Sequence, residues 1–174
     1  MIDPVRRNFL LAQEDDALRL AAESDILSVE PLGSRPHERY VLRLAARIVV
    51  TSPDGPRVVA GESAVGVWFP SDYLHHAVAP RVLTWLAPDN IWHPNVRGPF
   101  LCLGTLRPGT PLTELCYRVF AVIGYQNYGL NEPLNADAAA WARRNLHRFP
   151  VDARPLKRRI TGFTTQVFEK GGVA

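Results

Sequence analysis

The sequence predicts an α+β domain: an N-terminal helix, a four-stranded antiparallel meander, a proline-rich loop, then C-terminal helices. Three observations carry that prediction. Apolar residues recur at helical spacing near both ends of the chain, and consecutive strand-like runs with a turn signal between them fill the stretch between. Seven of the 15 prolines then crowd between Pro70 and Pro111, which reads as loop rather than ladder. A length of 174 residues with 47% hydrophobic content suits one domain with a core of its own.

Each element has a local cause. Asp3-Pro4 reads as an N-cap followed by proline at the first helical position. Val5, Phe9, Ala12 and Leu20 continue at roughly helical spacing, so the first helix is expected to reach about Ala22, with Arg6, Arg7, Glu14, Asp15 and Asp16 on its outer face. Strands are expected at Ile26–Leu32, Tyr40–Val50, Val58–Phe69 and Arg81–Leu86. In the second, Leu42, Leu44, Ala46 and Ile48 alternate with other residues, the pattern of one buried face. Ser52-Pro53-Asp54-Gly55 is a turn in which proline presets φ and glycine accepts a positive one. Gly61 and Gly66 are expected to mark bulges in the third strand. Thr110-Pro111 opens a helix whose stripe is Leu112, Leu115, Cys116, Val119, Phe120 and Ile123. Asn135 caps a last helix from Ala136 to about Leu146, with Asp137 in its first turn. Residues 1–150 are expected to form the domain, and 151–174 a basic C-terminal extension.

Composition narrows the function classes. No apolar run approaches the roughly 18 residues of a membrane span, and the first residues lack the layout of a signal peptide. Two cysteines, Cys102 and Cys116, are too few for a disulfide scaffold, so reduced thiols in a cytoplasm are expected. The net charge of +3 is uneven: residues 141–174 hold 8 Lys/Arg against 2 Asp/Glu, while the first 140 hold 12 against 15. Lys157 and Lys170 are the only lysines, so 18 of the 20 basic residues are arginine. A basic tail admits a nucleic-acid-binding reading, although charge runs are usually solvated surface. Adjacent His75 and His76 have no third ligand at useful spacing, so no metal is expected. Gly171-Gly172 resembles a diglycine tail, but nothing else in the chain reads as a ubiquitin-like fold.

Chemistry concentrates in Ile91-Trp92-His93-Pro94-Asn95-Val96-Arg97-Gly98-Pro99-Phe100-Leu101-Cys102-Leu103. One cysteine in a proline-rich loop follows a His and an Asn, residues able to brace a loop or receive a developing oxyanion. An acidic turn, Asn131-Glu132-Pro133-Leu134-Asn135, comes about 30 residues later, ahead of the last helix.

These residues, in this order, resemble the ubiquitin-conjugating enzymes, the middle carriers of ubiquitin-type transfer. His93-Pro94-Asn95 is similar to that family's His-Pro-Asn motif, Cys102-Leu103 to its Cys-Leu active site, and Glu132-Pro133-Leu134-Asn135 to its acidic–Pro–Leu segment. The likeness covers about Val5 to Phe149. Departures are specific. Asn95 precedes Cys102 by seven positions, one fewer than is usual, and Arg107-Pro108-Gly109-Thr110-Pro111 stands where the family has Trp-Ser-Pro. The proline run ahead of the fourth strand is reduced to Phe69-Pro70 and Ala79-Pro80. These departures argue against docking to a eukaryotic-type RING ligase. With the arginine bias, they resemble divergent bacterial members, often encoded in antiphage defence operons beside an activating enzyme, a ubiquitin-like protein and a deconjugating peptidase.

The resemblance implies roles. Cys102 would carry the modifier as a thioester and pass it to an amine of a target protein, since a thiolate is both nucleophile and leaving group. Asn95 would donate to the oxyanion or brace the loop, and His93 would be chiefly a structural hydrogen-bonder. Glu132 would orient the incoming amine, or be only a solvated turn charge. Arg6 and Arg7 would meet the activating enzyme. Cys116 reads as core, and no cofactor is implied at this step. Rival readings are a non-catalytic adaptor of the same fold, a nucleic-acid-binding protein working through its basic tail, and a cysteine hydrolase using Cys102 and His93.

Overall fold

The structure, a computed structural model, describes residues 3–158. Helix α1 (Pro4–Ala22) is followed by strands β1 (Leu27–Leu32), β2 (Arg39–Val50) and β3 (Arg57–Trp68), a one-turn helix α2 (Ala79–Val82) and strand β4 (Leu83–Ala87). A small hairpin, β5 (Val96–Arg97) and β6 (Phe100–Leu101), leads to helices α3 (Leu112–Ile123) and α4 (Ala136–Arg144). The four long strands form one antiparallel sheet in the order β1-β2-β3-β4. The diglycine Gly171-Gly172 lies outside the described residues.

Local chemistry explains the element ends. Asp3 accepts the Arg6 amide at 2.9 Å and Pro4 occupies the first turn of α1. Asn135 accepts the Ala138 amide at 3.0 Å and caps α4. That helix ends at Arg144, earlier than its composition suggests, because Asn145 leaves helical geometry and a 3₁₀ turn (Leu146–Arg148) follows. The fourth strand starts two residues later than expected because Pro80 lies in the first turn of α2. Strand β3 pairs with β2 without a break, and its register shift falls against β4 between Ala64 and Val65, not at Gly61 or Gly66. At Gly61 the determinant is space, since a Cβ there would come within 3.1 Å of Ile48 Cδ1.

Tyr40, Leu42, Leu44, Ala46 and Ile48 face inward from β2 and meet the stripe of α3, from Leu112 to Ile123, in one core. Helix α1 contributes Leu10, Ala17 and Leu20, but its polar residues depart from expectation. Arg6 and Glu14 are buried rather than on the outer face. Arg6 pairs with Glu38 at 2.6 Å and donates to the Phe69 carbonyl at 2.8 Å, while Glu14 meets His37 at 2.8 Å. Buried Gln13 accepts the Leu112 amide at 2.7 Å and so caps α3 from another helix, where Pro111 offers no side-chain cap.

A smaller cluster of Val49, Tyr125, Ala142 and Val151, with Trp92, Trp141 and Phe149 against it, holds the end of α3 to α4. Gly124 is required there, because a Cβ would lie 2.8 Å from the Asp152 carbonyl oxygen. Residues 151–158 continue over this surface. Asp152 accepts the Arg47 amide at 2.9 Å and pairs with Arg154 at 2.6 Å. Leu156 is buried, and the Arg158 amide reaches the Glu23 carbonyl at the end of α1. Among the described residues, no helix is long and apolar enough to cross a membrane.

Candidate active site

The loop that carries Cys102 is held along its length. Its first residues add to the end of β2: Thr51 donates to the Asn90 carbonyl, Ile91 bridges Val50, and Trp92 donates to the Val49 carbonyl. His93 is then fully buried against the Tyr125 ring, the two centroids 4.2 Å apart. Its Nδ1 accepts the Asn95 amide at 3.0 Å, which places the proton of a neutral ring on Nε2. Burial pushes the imidazole down to about 3, against a weaker opposing pull from the Val122 carbonyl. A ring neutral at physiological pH, with Nδ1 occupied by its own loop, offers no base to the thiol.

Asn95 is the hub. The Cys102 amide donates to the Asn95 carbonyl at 2.8 Å, and Asn95 Nδ2 donates back to the Cys102 carbonyl at 3.0 Å. Asn95 Oδ1 accepts the Gly129 amide at 2.7 Å. With a carbonyl on one side and an amide on the other, the orientation of the side chain is fixed by its partners. Among the described residues, its other Nδ2 hydrogen has no acceptor.

Cys102 is partly exposed just past the β5–β6 hairpin, while Cys116 is buried on α3. Burial pushes the Cys116 thiol up to about 12, so it is inert as a thiolate source. Arg118 reaches from α3 to the carbonyls of Leu103 and Thr105, holding the backbone on the far side of Cys102. Between them Gly104 has φ +74°, a backbone conformation open to glycine at little cost.

The acidic turn is tied to the same loop at two points. Gly129 is bound to Asn95, and the Asn135 amide donates to the Pro94 carbonyl at 3.1 Å. Exposed Glu132 lies between those anchors, three residues from each, so its Cα is within about 10 Å of both along the chain. Arg143 of α4 donates to the Leu130 carbonyl and closes the turn.

The structure thus brings Cys102, Asn95 and His93 into one loop and tethers the turn bearing Glu132 to it. Arg7 is exposed on α1, whereas Arg6 is committed to Glu38 and Phe69. Sequence reasoning missed Arg118, Gly129, Tyr125 and Arg143. The only linear signal for Arg118 was its spacing of four from Glu114, with which it pairs at 3.7 Å. Among the described residues, no group of three His, Cys, Asp or Glu side chains could hold a metal ion.

The architecture is a UBC-like α+β fold, with helix, four-strand meander, cysteine loop and helices in order. Solved structures with this likeness include the E2 domain of a ubiquitin-conjugating enzyme from Toxoplasma gondii. It matches with a TM-score of 0.55 and 18% identity, over 79% of this chain and 87% of that one. No protein-family model and no curated protein matches the chain.

Proposed function

We propose that the protein is a conjugating enzyme for a ubiquitin-like modifier, acting in the cytoplasm as part of a bacterial antiphage defence system. The observation that carries the reading is a partly exposed thiol, Cys102, whose backbone is bound on both sides by Asn95. In the first step the Cys102 thiolate attacks the thioester of a charged activating enzyme. The new thioester forms as the activating enzyme's thiol leaves. In the second step a target amine, expected to be a lysine, attacks that thioester, an amide bond forms, and the Cys102 thiolate departs.

The residues around the thiol fit this sequence. The other Nδ2 hydrogen of Asn95 is a donor for the tetrahedral oxyanion. Glu132 is the one carboxylate on the tethered turn, and orients the amine and helps it lose a proton. His93 holds the loop rather than moving a proton. Exposed Arg7 contributes to docking the activating enzyme, and a ubiquitin-like protein, a target and a deconjugating peptidase complete the partner set.

The test is co-expression with genomic neighbours, followed by gels with and without reducing agent. An adduct of modifier size that vanishes on reduction and in Cys102→Ala is expected, with intact mass identifying the modifier. A modifier that charges its activating enzyme while Cys102 stays bare sinks the carrier reading.

A further inference from the structure

Helix α3 ends in a backbone conformation that glycine usually supplies. The Gln126 amide reaches back to the Ala121 carbonyl at 2.8 Å, and the Tyr125 amide to the Val122 carbonyl at 2.9 Å. That nested pair closes a helix when the residue after the cap is left-handed, a conformation in which a Cβ crowds the following carbonyl. Gly124 is the cap, and the left-handed residue is Tyr125, with φ +54°. Among the described residues it is the one non-glycine with a positive φ. Glycine would end the helix with less strain, so the reason for tyrosine lies in its side chain.

That side chain is buried where the cysteine loop begins. Its hydroxyl donates to the Trp92 carbonyl, while the Trp92 amide is bound to Val49 of β2, so this residue is held on both sides. The Tyr125 ring packs against His93 with centroids 4.2 Å apart, and stacks on Phe149 at 4.3 Å and 17°. His93 depends on that support. Its Nε2 meets no acceptor in hydrogen-bond geometry among the described residues, so the ring is oriented by the Asn95 amide on Nδ1 and by packing. A continuous run of contacts therefore joins Tyr125 to His93, His93 to Asn95 at 3.0 Å, and Asn95 to the Cys102 backbone at 2.8 and 3.0 Å. A phenylalanine would fill the same space, but only the hydroxyl gives the Trp92 carbonyl a donor.

We infer that Tyr125 is a positioning residue for acyl transfer: through His93 it holds Asn95, and with it the Cys102 backbone, in one arrangement. The inference rests on the carrier reading and deepens it. Tyr125 acts through His93 and Asn95 rather than on the reacting atoms. A donor serves an oxyanion only within about 2.7–3.1 Å of it. A displacement of about 1 Å can cost ~10²-fold in rate. A ring packed between two others, with its hydroxyl bound to backbone, restrains such a displacement.

The test uses the full chain and Tyr125→Phe, which keeps the ring and removes only the hydroxyl. Hydrogen exchange needs neither modifier nor activating enzyme. The amides of Asn95, Cys102 and Gly129, which are bound to His93 or Asn95, should exchange at least about tenfold faster, with the β2–β3 ladder unchanged. Single-turnover discharge of the Cys102 thioester counts only charged chains. At saturating lysine it should slow by about tenfold, with the half-saturating lysine concentration unchanged. Tyr125→Gly is the second variant, because glycine suits the left-handed backbone. It should keep the α3 amides protected and show the same fast amides and slow discharge. Parent exchange at the three amides, or parent discharge, overturns the inference. So does faster exchange spread evenly over the β2–β3 ladder in both variants, which makes Tyr125 a core residue only. Loosened amides in a chain that never forms the reducible adduct separate the two claims: the hold of Tyr125 on the loop stands and the carrier reading falls.

Discussion

Asn95 and Cys102 are joined by two hydrogen bonds of opposite direction, amide to carbonyl at 2.8 Å and side-chain amide to carbonyl at 3.0 Å. The same Asn95 side chain holds Gly129, so one residue ties down both the thiol's backbone and the turn bound to its loop.

Asn95→Ala removes that brace and the spare donor together. Discharge of pre-formed thioester to free lysine should slow by ~10²–10³, the usual cost of losing an oxyanion donor. Stability should fall by about 1–3 kcal/mol, as backbone groups lose their partners. Single-turnover discharge reads the first effect and urea unfolding the second. A variant that discharges at the parent rate removes Asn95 from the mechanism.

His93 should make stability depend on acid. Its ordinary pKa is 6.5 and the folded ring is held down to about 3. Below 6.5 the unfolded chain takes up a proton that the folded chain refuses. The contribution of the neutral ring is therefore complete above 6.5 and is lost as pH falls towards 3, by up to ~1.4 kcal/mol per pH unit. Urea unfolding from neutral to mildly acidic pH should show this slope, and His93→Gln should flatten it. An unchanged slope in the variant refutes the assignment.

The two thiols should separate cleanly. Native protein treated with iodoacetamide at neutral pH should gain one alkyl group, on Cys102, and urea-unfolded protein two, since the sequence has 2 cysteines. Intact mass and peptide mapping decide it. Labelling of Cys116 in the folded chain contradicts the packing of α3.

Residues 151–158 should matter to stability. A chain ended at Pro150 loses the amide of Val151 on Gly124, the carboxylate of Asp152 on Arg47 and the buried Leu156, so its unfolding midpoint should drop. In the full chain, Asp152→Asn should cost about 1–3 kcal/mol. Burial alone would raise the Asp152 carboxyl, but Arg154 and the amides of Arg47 and Arg154 outweigh it and hold it below the usual range. Its contribution is present above the ordinary carboxylate range and lost as pH falls through and below it. Equal midpoints for the shortened and full chains would show the segment to be a passenger.

Periodic features were legible in the amino-acid order. Alternation in Tyr40–Val50, the stripe of α3 and the caps Asp3 and Asn135 involve residues a few positions apart, and near neighbours in the chain are near neighbours in space. The spacing of His93, Asn95 and Cys102 was legible for the same reason. What remained hidden depends on partners far along the chain. Gln13 caps a helix that begins 99 positions later, and Asp152 accepts an amide 105 positions earlier. Arg6 and Glu14 read as surface because a charged side chain is costly to bury alone, and only the folded chain supplies Glu38, the Phe69 carbonyl and His37 to offset that cost. Local order set the elements and the make-up of the cysteine loop; tertiary contact decided which polar groups could leave water, and how firmly Cys102 is held.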